Sequence, residues 1–127
     1  MDRELYQLLT EFGRRGFVVH SYQVDDVGPL VVAMVLDRDT CVDVFILHDE
    51  HRAYAYRTPS GDGRDVLNPA VVLWDCGGKP VRALRALRDL PKPGEHDGQI
   101  VLRAANTQWC LPAERRGPNL TIRKRGT

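Results

Sequence analysis

The chain is short of the residues on which recognisable chemistry usually rests. Only Ser21 and Ser60 are serines among 127 residues, and neither sits in the strand–turn–helix setting of an activated hydrolase serine. The three cysteines, Cys41, Cys76 and Cys110, are odd in number and far apart. That spacing excludes a paired disulfide framework and a CxxC zinc knuckle, and it fits reduced thiols used as small apolar residues. Aromatic residues make up 7%, and no basic-aromatic platform for stacking bases is visible. No apolar run approaches the ~18 residues that a membrane span requires. The first segment, MDRELYQLLTEFGRRG, is charged and amphipathic, without the apolar core and small-residue cleavage site of a secretory leader. These absences point to a cytoplasmic chain with no membrane partner.

What is present suits one folded domain, residues 1–127. Hydrophobic residues are 43% and charged residues 28%, ordinary globular usage. A chain of this size buries roughly two-thirds of its unfolded surface and folds without a metal or disulfide staple. The formal charge of +1 hides an asymmetry. Residues 114–127 hold Arg115, Arg116, Arg123, Lys124 and Arg125 against Glu114 alone, a local charge of +4. The remaining 113 residues therefore carry −3, a mildly acidic body with a basic tail.

Leu5, Leu8, Leu9 and Phe12 recur at helical period and predict an N-terminal helix, capped by Asp2 and ended by Gly13 or Gly16. FVVHSYQV, PLVVAMVL, CVDVFILH and RAYAYR follow as strand candidates, separated by short Asp- and Gly-containing turns. Short separators favour an antiparallel meander, because parallel crossovers need a dozen or more residues. A polar loop, TPSGDGRDVLNP, leads to a short strand from Val71 to Trp74, with DCGG as punctuation. KPVRALRALRDLP predicts a second helix near residues 80–90, with Pro80 in its first turn and Pro91 beyond its end. Val81, Leu84, Leu87 and Leu90 form its expected buried stripe. QIVLRA and TQWCLP read as a C-terminal β-hairpin around Ala105-Asn106, and NLTIRKR as an edge strand. Leu120 and Ile122 would dock on the body. The expected class is α+β, with both helices on one face of an antiparallel sheet.

Few constellations invite a functional reading. His48-Asp49-Glu50-His51 lies between two strand candidates, where the chain must reverse. A two-residue turn on Asp49-Glu50 would set His48 opposite His51, a pair able to hold a divalent metal. A hairpin tip is convex and wet, however, and the spacing is not that of a helical HExxH site. The stretch reads as a polar turn. His20 reads as a packed strand residue and His96 as a loop residue. SGDGRD lacks the spacing and the Lys-Ser/Thr of a phosphate loop. No catalytic residue, metal or cofactor is expected.

Arginine is the remaining signal. Arg82, Arg85 and Arg88 recur every three residues on the second helix, and the tail adds Arg115, Arg116, Arg123, Lys124 and Arg125. Guanidinium groups suit bidentate contacts to carboxylate or phosphate. These eight residues are the candidate partner-binding set, for an acidic protein or for nucleic acid.

VVLWDCGGKPVRALRALRDLPKPGEHDG, with the preceding helix and meander, resembles uncharacterised small α+β proteins common in actinobacteria. The shared phrase is VRALRALRDLPKPG, and the resemblance implies no chemistry. At the level of fold, the helix, meander and second helix are similar to type III secretion chaperone-like proteins, which implies a dimeric adaptor without catalysis. The C-terminal strands and basic tail depart from that pattern. The expected function is a non-catalytic protein–protein interaction, adaptor or regulatory module working as a homodimer. The apolar runs PLVVAMVL and CVDVFILH exceed what two short helices can cover, so a second cover is required. The alternatives are a nucleic-acid-binding accessory protein using tail and helix face together, and a small enzyme whose site leaves no sequence signature.

Overall fold

The computed structural model describes residues 2–24, 30–93 and 102–119. The turn Asp25–Pro29, the loop with His96, and Leu120, Ile122, Arg123, Lys124 and Arg125 lie outside the described residues.

Helix α1 (Arg3–Arg14) forms where the leucine stripe places it. Asp2 accepts from the Glu4 and Leu5 backbone N–H groups, at 2.7 and 3.4 Å, and satisfies two of the orphan donors. Gly16, at φ +101°, turns the chain out of the helix into the first strand. Strands β1 (Val18–Val24), β2 (Leu30–Asp37), β3 (Cys41–Leu47) and β4 (Ala53–Pro59) pair antiparallel in sequence order. The meander is present as expected, and the class is α+β.

The sheet continues further than the sequence suggested. DCGG does not punctuate; Trp74–Gly78 is strand β6, paired antiparallel with β4 along its length. At the other edge, β8 (Arg116–Asn119) pairs with β1. The order is β6-β4-β3-β2-β1-β8. The Val71–Trp74 expectation thus splits: β5 (Val71–Val72) leaves the main sheet and pairs with β7 (Arg103–Ala104) in a second, two-stranded sheet. The terminal hairpin takes a different form as well. Thr107–Trp109 is a 3-10 helix, and Arg103–Ala104 pairs backwards with β5 instead of forwards with TQWCLP. A long-range strand partner, invisible to local pattern, took the place of the near one.

Alternation along the strands builds two cores. On one face Met34, Phe45, Ala53 and Ala55 meet Leu5, Leu8 and Phe12 of α1 and Ala83, Leu84 and Leu87 of α2 (Pro80–Asp89). Ala53 and Ala55 keep this side of β4 low, so α2 can lie close over it. Both helices cover this face, as expected. The buried α2 stripe is Pro80, Ala83, Leu84 and Leu87, with Val81 and Leu90 at its margins. On the opposite face Tyr54 and Tyr56 stand beside Val44, Ile46, Ala33, Val31 and Tyr22. The required second cover comes from the chain itself: Leu67 and Val72 before β6, then Ala105, Cys110 and Leu111. Backbone bonds close this layer, Leu111 N–H to the Leu67 carbonyl at 2.8 Å and Ala105 N–H to the Ala70 carbonyl at 3.1 Å.

Candidate partner-binding site

The candidate arginines occupy opposite sides of the sheet. On the helix side, Arg82 and Arg85 are exposed on α2, and Arg88 is half-buried beside Asp89 at 3.2 Å. Arg85 pairs with Glu4 and so links α2 to α1. On the tyrosine side, Arg115 is exposed at the end of the second 3-10 helix (Ala113–Arg115), and Arg116 donates to Asp65. The structure therefore does not bring Arg82, Arg85 and Arg88 together with Arg115 and Arg116.

The β3–β4 connection is a turn, but of five residues. Leu47 is paired with Ala53, and the His48 and Asp49 N–H groups both donate to the Arg52 carbonyl. The two-residue geometry fails because Asp49 folds inward: its Oδ1 accepts from the His51 N–H at 2.7 Å, an Asx turn. Its Oδ2 accepts from Arg52 Nε at 2.9 Å. The His51 N–H and the Arg52 side chain hold the Asp49 carboxyl below the usual carboxylate range. His48 and His51 consequently do not face each other. His48 Nε2 lies 2.8 Å from the Trp109 carbonyl, while His51 is exposed at the tip. Among the described residues no three His, Cys, Asp or Glu side chains converge as metal ligands.

The His48 contact creates a concavity that the sequence does not announce. His48 and Arg52 from the turn, Gln108 and Trp109 from the first 3-10 helix, and Arg115 from the second line a cleft of about 180 Å³. Of these five, only Arg115 belongs to the candidate set. Arg52, Gln108 and Trp109 lacked any local signal, being joined across more than fifty positions. A second cleft, about 220 Å³, lies between the end of β4 and the 64–70 loop, lined by Thr58, Arg64, Asp65 and Asn68 among others.

Polar side chains elsewhere are engaged in holding the layers. The Tyr54 hydroxyl donates to Asp75 Oδ2 at 2.7 Å and accepts from the Asn106 N–H at 3.0 Å; Arg103 reaches the other Asp75 oxygen. Burial pushes the Tyr54 hydroxyl well above its ordinary range, and Asp75 adds to the shift, so the phenol stays protonated. Burial also raises the Cys41 thiol and lifts Cys110 to about 11, which keeps both as inert thiols near neutral pH. Under the helix layer Asp43 accepts from Arg38 Nε and Arg57 Nε, each at 2.6 Å, and from Arg57 Nη2 at 3.0 Å. The remaining Arg57 Nη1 donates to the Pro91 carbonyl at 2.8 Å, tying the chain after α2 to the sheet. No helix among the described residues is long and apolar enough to cross a membrane.

Searched against family models, curated proteins and solved structures, the chain matches none.

Proposed function

We propose that the chain is a non-catalytic protein-binding module, an adaptor that works as a homodimer in the cytoplasm. The observation that carries this reading is the outer side of the helix layer. Tyr6 is 65% exposed on α1, and Arg82 and Arg85 are exposed on the adjoining α2. Tyrosine and arginine are the side chains that most often dominate protein interfaces. The Glu4–Arg85 pair gives this layer both signs of charge. Two copies related by a twofold axis can therefore present opposite charges to each other. The chain covers its own tyrosine face, so the apolar surplus of its strands does not call for a second copy, and self-association would rest on the outer side of the helix layer alone. The nucleic-acid alternative requires the α2 arginines and the C-terminal arginines on one surface, and the opposite placement of Arg82 and Arg115 favours the protein reading.

Size-exclusion chromatography with light scattering tests it. The wild-type chain should run at twice its monomer mass, and Tyr6→Ala combined with Arg82→Glu should run as a folded monomer. A wild-type monomer at high micromolar concentration removes the homodimer.

A further inference from the structure

The cleft of about 220 Å³ at the end of β4 is walled by a single loop, residues 60–70. The loop leaves the sheet and returns beside it. The Thr58 hydroxyl donates to the Val71 carbonyl at 2.8 Å, and the Leu73 N–H to the Arg57 carbonyl at 2.7 Å. A compact loop closed at its neck is an Ω-loop, a frequent carrier of binding sites. The polar side chains lining the cleft divide into engaged and free. Thr58 is engaged at the neck, and Asp65 through both oxygens, by the Leu67 N–H at 3.2 Å and by Arg116. The Arg64 guanidinium and the Asn68 side-chain amide have no hydrogen bond or ion pair with any residue of the chain. Asp65 and Arg116 neutralise each other, so Arg64 leaves the cleft with one positive charge. The remaining walls are apolar: Pro59, Val66, Pro69 and Ala70.

We propose that this cleft captures the free C-terminus of a partner protein, with the terminal carboxylate on Arg64 and an aliphatic last side chain against the apolar wall. The proposal goes beyond the homodimer and does not depend on it. The loop is anchored through Leu67 in the tyrosine-side core, away from the helix layer.

The walls are fixed before a ligand arrives. Ser60 Oγ donates to the Asp39 carbonyl at 2.5 Å, and the Tyr56 hydroxyl to the Val66 carbonyl. The Leu111 N–H holds the Leu67 carbonyl at 2.8 Å, and the Asn68 N–H closes a turn on the Asp65 carbonyl at 3.1 Å. Arg64 is placed as well: its side chain lies over Gly61, where a Cβ would stand 3.0 Å from Nε. Glycine makes the room for it. A site held this way loses little further conformational entropy on binding.

Charge and size choose the ligand. A phosphate or a nucleic-acid backbone asks for several cations, and the cleft offers one among apolar walls. A single planar carboxylate matches the fork of one guanidinium. At about 220 Å³ the cleft falls below the roughly 300–1,000 Å³ of drug-sized pockets and accommodates one residue. A C-terminal residue carries a carboxylate and an aliphatic side chain on one Cα, so it meets both features at once. Its own N–H remains to donate to the Asn68 side-chain oxygen. Capture of a terminal carboxylate is a recurring mode of peptide recognition.

The test follows two-dimensional amide NMR spectra of the full chain, labelled with nitrogen-15. The titrants are acetyl-Gly-Gly-Val with a free carboxylate, the same peptide as its C-terminal amide, isovalerate and inorganic phosphate. The free-carboxylate peptide should move the Arg64 and Ala70 backbone signals and the Asn68 side-chain signals saturably, and the amidated peptide should not. Arg64→Gln should weaken binding about ten- to hundredfold; Arg64 is exposed, and an otherwise unchanged spectrum confirms that the variant folds. Arg82→Gln, on the helix layer, should leave binding unchanged. The proposal is overturned by no saturable shift at those signals, by an equal response to the amidated peptide, or by unaltered affinity in Arg64→Gln. Tighter binding of isovalerate or phosphate than of the peptide overturns it too, since the source would then be a free small anion.

Discussion

Asp43 is 1% exposed, and its partner Arg57 is 4% exposed. The two are directly opposite in the β3–β4 register, with Arg38 reaching in from the preceding turn. Removing one member of a buried pair strands the other charge, which costs far more than losing a surface ion pair. Asp43→Ala should therefore destabilise the fold by about 3–5 kcal/mol, while Glu4→Ala, at an exposed pair, should change stability by less than about 1 kcal/mol. Urea denaturation midpoints measure both, and near-equal losses would refute the distinction. The cysteines give a second residue-scale expectation. Cys76 is half-exposed, whereas Cys41 and Cys110 are buried with raised thiols, so a thiol reagent at pH 8 should label Cys76 first. The folded state holds the Cys110 proton more tightly than the unfolded chain does. That contribution is complete below pH 9.0 and is lost as pH rises toward about 11. Tyr54 and Tyr56 act in the same alkaline direction. Stability should fall across that window, and Cys110→Ala should flatten the slope. None of this was legible in CVDVFIL, where Asp43 looks like a lapse in an apolar run. Its meaning lies in an arginine fourteen positions away.

Among the elements, those shaped by local pattern were readable. The α1 stripe, the Asp2 cap and the prolines bounding α2 all act within a few residues of themselves. Asp2→Ala should lower stability by about 1 kcal/mol, with the loss visible in the thermal midpoint. The elements that depend on distant contacts were not readable. Nothing in WDCGG signals a strand, because the Gly77-Gly78 pair has poor strand propensity by itself. Its place is set by β4 on one side and by Trp109 on its face. A Cβ at Gly77 would sit 3.0 Å from Cε3 and Cζ3 of Trp109, so glycine there is a packing requirement. Gly77→Ala should cost about 1–3 kcal/mol by overpacking and shift tryptophan emission as the ring is pushed outward. An unchanged spectrum and midpoint would mean that the 3-10 helix yields freely. The turn lies between these cases. Its existence was legible in HDEH, but its width followed from the inward fold of Asp49 and the pull of Trp109 on His48.

For the molecule as a whole, the sheet is closed on both faces by unlike covers: two amphipathic helices on one, irregular chain from 60–73 and 102–116 on the other. The sequence displays the surplus of apolar strand surface but not the source of its cover, since Leu67, Cys110 and Leu111 sit in segments without periodicity. Deleting residues from 102 onward should expose Tyr54, Tyr56 and Ile46, and the truncated chain should bind a hydrophobic dye and aggregate. A truncated chain that stays dye-negative and cooperative would show that the 60–73 segment suffices. The same arrangement sets an order of events at the ribosome. Synthesis runs from the N-terminus, so α1 and the β1–β4 meander emerge before β6, α2 and the 102–116 segment. The helix-side core can begin to assemble from neighbouring elements, whereas the tyrosine side waits for residues more than fifty positions downstream. During that interval the growing polypeptide carries an open, tyrosine-lined sheet, the surface that chaperones recognise and that neighbouring nascent chains can share.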